Sequence, residues 1–318
     1  MSNAGHAKKT TENRRRFAFG GWSAHTLLEF GEITIVQIAE LALREGHSFT
    51  PLCRIHRWFA RRVGSQFRSI LTALDQQHFW VQVKRCTNCH CDVELHPHYQ
   101  LVYSKEKGLQ WMFCKECHAV HELQINRKVL YCECGKRATI ATGTHSNGRM
   151  TCPYCKHTQK IAAVDLDSAT SPYWKMFAQE YLIGTGRNCT WHFKRVEKCD
   201  LKIFAHAERM LQLFGEDLLV PTRKIPREDR SDGRPLIHGI RTYADFFNAR
   251  QKLHLQLLGA VIQRVENGEA RRCLELAFSE HLTTNCMYTA YTFGYHRISP
   301  MFSIHSYRHI TRTVELNP

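Results

Sequence analysis

The sequence predicts an α+β protein in which a helical scaffold carries small inserted β units. Three observations lead there. Eight of the 14 cysteines fall in four close pairs between residues 86 and 155. The segments between those pairs, "HYQLVY", "LQWMF", "KVLY" and "RATIAT", are short and strand-like, with Gly108, Gly135, Gly143 and Gly148 marking turns. Before and after them, apolar residues recur at helical spacing.

Residues 1–16 hold Lys8, Lys9, Arg14, Arg15 and Arg16 against one glutamate and show no apolar period. That is the composition of a disordered basic arm. Residues 17–80 read as a basic helical segment, in which "GEITIVQIAELALREG" places Ile35, Ile38, Ala39 and Ala42 at helical spacing and stops at Gly46. "CRIHRWFARRVGSQFRSIL" then follows, from Cys53 to Leu71, with five arginines and no acid. On a helix Arg54, Arg57, Arg61 and Arg68 share a face, with Arg62 beside it. The whole chain carries 44 Lys+Arg against 29 Asp+Glu, a formal net charge of +15, so its field favours a polyanion, nucleic acid above all. We therefore expect these five arginines to form a mostly solvated face that contacts DNA phosphates, with Trp58 and Phe59 partly buried. In the DNA-contact reading Trp58 is also a candidate to stack on a base. The competing reading pairs some of them with Glu32 or Glu40 and packs Trp58 and Phe59 inside.

Residues 81–163 contain "CTNCHC", "FCKECH", "YCECGK" and "TCPYCK". Two thiolates two residues apart on a tight turn chelate one metal ion, and a second pair from another hairpin closes the tetrahedron. Read in order, the pairs give two tandem zinc ribbons. One is held by Cys86, Cys89, Cys114 and Cys117, the other by Cys132, Cys134, Cys152 and Cys155. Four protein thiolates leave no open position for substrate, so both zinc ions are expected to be structural. Iron also takes four thiolates and stands as the minority reading. His90, Cys91, His118 and His121 sit beside the knuckles as substitute ligands or as solvated side chains. Cys53, Cys189, Cys199, Cys273 and Cys286 have no such spacing and are expected to be buried small apolar residues.

Residues 164–318 read as mainly helical. "SPYWKMFAQEYLIG" is expected to start a helix at Pro172 and end it at Gly184, and "FAHAERMLQLFG" forms another, closed by Gly215. The "HAE" within it, His206 to Glu208, has the wrong order relative to "CPYC" for a zinc deaminase. In "YADFFNARQKLHLQLLGAVIQRVENG" Phe247, Leu255, Leu258, Val261, Ile262 and Val265 make a long apolar stripe closed at Asn267 and Gly268, and "EARRCLELAFSEHL" is expected to run antiparallel to it. No apolar run reaches the ~20 residues of a spanning helix, and "MSNAGHAKKTTENRRR" lacks a secretory apolar core. A cytoplasmic protein with no membrane contact is expected.

Three collinear blocks carry a resemblance. "FTPLCRIHRWFARRVGSQFRSILTAL", the cysteine pairs, and "RTYADFFNARQKLHLQLLGAVI" with "AFSEHLTTNCMYTAYTFGYHRISPMFSIHSY" and "VELNP" resemble successive parts of the zinc-ribbon-containing, adenine-specific DNA methylases. The resemblance implies methyl transfer from S-adenosylmethionine to DNA. Yet the family's D-P-F-x-G-x-G-T-T-like donor loop is missing after "HRWFARR", since "ILTALDQQHFW" leads straight into "VQVKRCTNCHC". A D-P-P-Y-like motif is not found before Pro318 either, and "GTG" at Gly184 to Gly186 does not replace the donor loop. The expectation is a DNA-binding relative, inactive as a methyltransferase alone. The alternatives are an enzyme completed by a catalytic partner chain, or a zinc-ribbon scaffold for a protein complex.

Overall fold

The structure, a computed structural model, describes residues 76–141, 143–183, 190–214, 221–227, 232–292, 297–301, 303 and 307–316. The basic arm, Arg54, Arg57, Arg61, Arg62 and Arg68, and Gly184 to Gly186 lie outside the described residues. Within them strand outweighs helix, 33% against 26%. The expected helical scaffold is thereby corrected: a curled antiparallel sheet is the frame, and the helices are its cover.

β1 (Gln76–Arg85) is the axis of that sheet. Along one side it pairs with β11 (Tyr173–Ile183), which in turn pairs with β12 (Thr190–Arg195). Along the other side Gln77 to Val81 pair with β15 (Arg312–Leu316), and Val83 to Arg85 pair with β2 (Asp92–Glu94). β11 is the stretch for which a helix was expected. Met176 to Glu180 are all buried, and a strand covered on both faces loses the alternation that distinguishes it from a buried helix. Its ladder partners on both sides decide the matter. A bulge opposite Phe79 and Trp80 inserts Phe177 into β11, so Phe177 and Ala178 both enter one core.

That core lies between the sheet and a three-stranded unit made of β3 (Gln100–Ser104), β4 (Leu109–Phe113) and β5 (Val120–Gln124). Phe79, Val81, Phe177, Ala178 and Val314 from the sheet meet Leu101, Trp111, Met112 and Phe113 there. Phe113 and Phe177 have ring centroids 4.9 Å apart. The opposite face of the sheet presents Trp80 and Met176 to Leu236, Ile240, Phe246, Met287 and Tyr288. Phe204 of α1 (Lys198–Phe214) caps Trp80 at 4.9 Å between rings. Leu236 lies on the short α2 (Arg234–Ile237).

α3 (Ala249–Gln263) begins at Asn248, whose side chain accepts from the Gln251 amide while the Gln251 side chain accepts from Asn248 in return. α4 (Gly268–Thr284) follows and packs on α3. Asn267 and Gly268, expected to close the longer helix, instead open the next one: the Asn267 side chain accepts from the amides of Glu269 and Ala270.

Candidate metal centres and a basic face

Four hairpin tips carry the cysteine pairs. Cys86 and Cys89 join β1 to β2, and Cys114 and Cys117 join β4 to β5. Cys132 and Cys134 join β6 (Val129–Tyr131) to β7 (Arg137–Thr139). Cys152 and Cys155 join β9 (Arg149–Thr151) to β10 (Thr158–Lys160), beside the short β8 (His145–Ser146). All four tips have one backbone design. The residue after the second cysteine has a left-handed φ: His90 at 59°, His118 at 57°, Gly135 at 78° and Lys156 at 63°. Its amide donates to the carbonyl of the first cysteine at 2.9–3.0 Å. The amide of each first cysteine donates across the hairpin, to Cys91, Ala119, Lys136 or His157, at 2.8–2.9 Å. Only such a tight turn aims both sulfurs at one point.

The partners differ from those expected. Cys86 and Cys89 converge with Cys152 and Cys155, and Cys114 and Cys117 converge with Cys132 and Cys134. The ribbons are nested, one inside the other, instead of tandem. Spacing within a pair is a local property that sequence reveals. Which pair meets which is settled by tertiary contacts between distant hairpins: the Gln159 side chain next to the last tip accepts from the Thr87 amide at 2.8 Å and donates to the Arg85 carbonyl at 3.1 Å, which ties the first hairpin to the last. The outer ribbon rests on its own small core of Val93, Leu95, Met150 and Ile161.

Facing sulfurs are 3.5–3.6 Å apart in both clusters: Cys86–Cys155, Cys89–Cys152, Cys114–Cys134 and Cys117–Cys132. A tetrahedron with metal–sulfur bonds of about 2.3 Å has edges of about 3.8 Å, so the ions fit with a slight expansion. All eight are free thiols. The Lys136 amide leads the groups that lower Cys134, and the Asn88 side chain with the His157 amide lowers Cys155, while burial leads the groups that raise Cys114 and Cys132 beside Cys134. Each cluster thus has donors already aimed at a thiolate. Both can hold a metal ion, and neither leaves a vacant position for catalysis.

A third convergence was not legible in the sequence. Glu94 of β2 accepts from His96 at 3.0 Å and from His118 at 2.8 Å on one oxygen, and from Lys175 of β11 at 2.6 Å on the other. Burial opposes the charge on Glu94, but the hydrogen bonds from His118, His96 and Lys175 hold its carboxyl far below the usual carboxylate range. The same three ligand atoms lie close enough to hold a metal. Two features argue against it. The ammonium of Lys175 sits on the carboxylate, and Nδ1 of His96 is buried without a partner among the described residues, whereas a metal-bound imidazole donates its other N–H. The group is a latch between the outer ribbon, the inner ribbon and the sheet. Of the other groups near the knuckles, His90 and Cys91 are exposed.

On the helical face of the sheet Arg250 of α3 grips Glu315 of β15 through two bonds, of 2.9 and 2.7 Å, and Trp80 donates to the same carboxylate at 2.7 Å. Arg250 and Glu315 are both buried. This pair joins the "NARQ" and "VELNP" stretches into one structural contact.

One surface feature was readable and was missed. From Cys134 to Val164 there are five Lys or Arg residues and no acid. Lys136, Arg137, Arg149, Lys156 and Lys160 are all exposed on the second hairpins of the two ribbons. Tyr154, 67% exposed at the outer tip, and Tyr131, 75% exposed with the Arg137 guanidinium 5.9 Å from its ring centre, stand among them. Among the described residues no helix is long and apolar enough to cross a membrane. No protein-family model, no curated protein and no solved structure matches the chain.

Proposed function

We propose that this chain is a zinc-ribbon DNA-binding protein, related to the adenine-specific DNA methylases and without methyl transfer of its own. Zinc fills both four-thiolate clusters and fixes the hairpins that carry the basic face. The observation that supports DNA as partner is the acid-free run from Cys134 to Val164, whose five cations are exposed and make no ion pair among the described residues. Unpaired cations on a rigid β unit offer phosphate contacts at little entropic cost, and the two exposed tyrosines add flat surfaces for base or sugar. The arginines from Arg54 to Arg68 extend this reading as a second set of phosphate contacts. A methyl donor and a catalytic partner chain are required only if the complex as a whole transfers methyl groups.

The test is a salt titration of duplex DNA affinity. Replacing Arg149, Lys156 and Lys160 together by alanine is expected to flatten the log–log slope by about 2 to 3, close to 0.9 for each lost phosphate contact. These side chains are exposed, so folding and metal content are expected to stay as in the parent protein. An unchanged slope would remove the ribbons from the DNA interface.

A further inference from the structure

No side chain of α4 is buried from Gly268 to Thr284, and the helix lies against α3. What joins the two is polar. His254 of α3 and His281 of α4 face each other with their Nε2 atoms 3.0 Å apart. The side-chain amide of Asn285, the residue that caps the end of α4, lies 3.4 Å from Nε2 of His281. Hydrogen bonds alone leave this group short. A neutral imidazole offers one N–H or one lone pair at Nε2, so His281 cannot serve both the His254 ring and the Asn285 amide well. The second atom of that amide, Oδ1, is buried with no partner among the described residues, and Asn285 as a whole is 1% exposed.

A cation resolves the shortage. Both imidazoles then turn a lone pair to the ion, and a rotation of the Asn285 amide about its last bond exchanges its oxygen and nitrogen, which adds a carbonyl oxygen to the two ring nitrogens. With metal–nitrogen bonds of about 2.0–2.1 Å, two ligands at a right angle stand about 2.9 Å apart and two at a tetrahedral angle about 3.3 Å. The observed 3.0 Å falls between these values. We propose that His254, His281 and Asn285 form a third metal site, for one divalent late first-row ion held by nitrogen and oxygen, which clamps α4 to α3. The group passes both tests that the Glu94 group fails. Among the described residues no ammonium meets its donor atoms, and Nδ1 of neither histidine is a buried atom without a partner. Its donors also differ from the four thiolates of the ribbons, so it draws on ions that suit imidazole. The inference is independent of the nucleic-acid reading.

The experiment uses the full chain without a histidine tag, its two thiolate clusters loaded with zinc, and Ni²⁺ as the probe. Equilibrium dialysis with elemental analysis is expected to show one Ni²⁺ taken up beside the two zinc ions. His254→Ala and His281→Ala are each expected to lose that Ni²⁺ and to keep both zinc ions. Asn285→Asp replaces the amide oxygen by a carboxylate and is expected to bind Ni²⁺ more tightly than the parent, which a role in hydrogen bonding alone does not predict. In the parent, Ni²⁺ at 100 times its dissociation constant is expected to slow hydrogen exchange of the α4 amides that open with the site by about 100-fold. Should an alanine variant not fold, His281→Gln keeps a hydrogen-bonding side chain and is expected to fold and to lose the ion. Uptake that persists in the His254 and His281 variants places the ion on other histidines and overturns the site. No uptake beyond the two zinc ions overturns it as well, and so does uptake that leaves α4 exchange unchanged.

Discussion

Glu94 shows how much one carboxylate settles in this protein. Its acceptors serve a buried imidazole from the outer ribbon, a second imidazole from an inner knuckle and an ammonium from the central sheet. Removing it leaves His96, which is 2% exposed, with no acceptor. Glu94→Ala is expected to cost about 1–3 kcal/mol, the usual penalty for stranding a buried donor, while both metal ions stay bound. Glu94→Gln keeps one acceptor oxygen and is expected to lose less. Urea melts with parallel metal analysis check both, and loss of a metal in either variant would show that the latch belongs to a metal site. The cysteines could be read from the sequence because their chemistry lies in spacing over two or three residues. Glu94, His96, His118 and Lys175 could not, since their meeting depends on how three separate hairpins and strands stack. His118 was visible only as a histidine next to a knuckle.

At the scale of elements, the nested ribbons impose an order. The inner cluster closes loops of 15 and 20 residues, Cys117 to Cys132 and Cys114 to Cys134, while the outer one closes loops of 63 and 69. Going from a 15- to a 63-residue loop costs about 1.3 kcal/mol more closure entropy, near a factor of ten in affinity. In the denatured chain the inner cluster is therefore expected to capture metal first. A Co²⁺ titration in urea tests this: Cys155→Ser, with the inner set whole, is expected to retain roughly tenfold tighter binding than Cys117→Ser, with only the outer set whole. Equal affinities would mean that residual structure, not loop length, governs capture. The same scale explains where the sequence misled. β11 is buried along Met176 to Glu180 and so shows no alternation to mark it as a strand; its pairing with β1 and β12 makes it one. α1, α3 and α4 were legible as helices from their apolar spacing, but the stop of α3 was not: it ends at Gln263, and Asn267 caps the start of α4.

For the whole molecule, the helices and the inner ribbon cover opposite faces of one sheet, and half-buried histidines lie on the helical side. His254 of α3 and His281 of α4 meet at 3.0 Å, so one must donate and the other accept. Burial, then the neighbouring His281, lowers His254 to about 3, and burial with His238 lowers His309 to about 3. The unfolded chain takes up these protons near pH 6.5 and the folded chain does not until about pH 3. Between those limits the unfolded state binds more protons, so stability falls as pH falls, by about 1.4 kcal/mol per pH unit for each histidine. Unfolding free energies measured between about pH 5 and 7 are expected to show it. His254→Asn is expected to flatten the slope by about one proton relative to the parent; the comparison separates the histidine from acid release of metal, and equal slopes would place His254 on the solvent side of the helix pair. The joint between β1 and β15 has a further consequence, for synthesis on the ribosome. Trp80 and Glu315 are 235 residues apart, so at ~5–20 residues per second β1 waits roughly 10–50 s for its second neighbour. An open strand edge is a template for the wrong chain during that time. Both metal clusters are complete once Cys155 has emerged, and the bound ions can hold the nascent β1 in its hairpin until the last strand arrives.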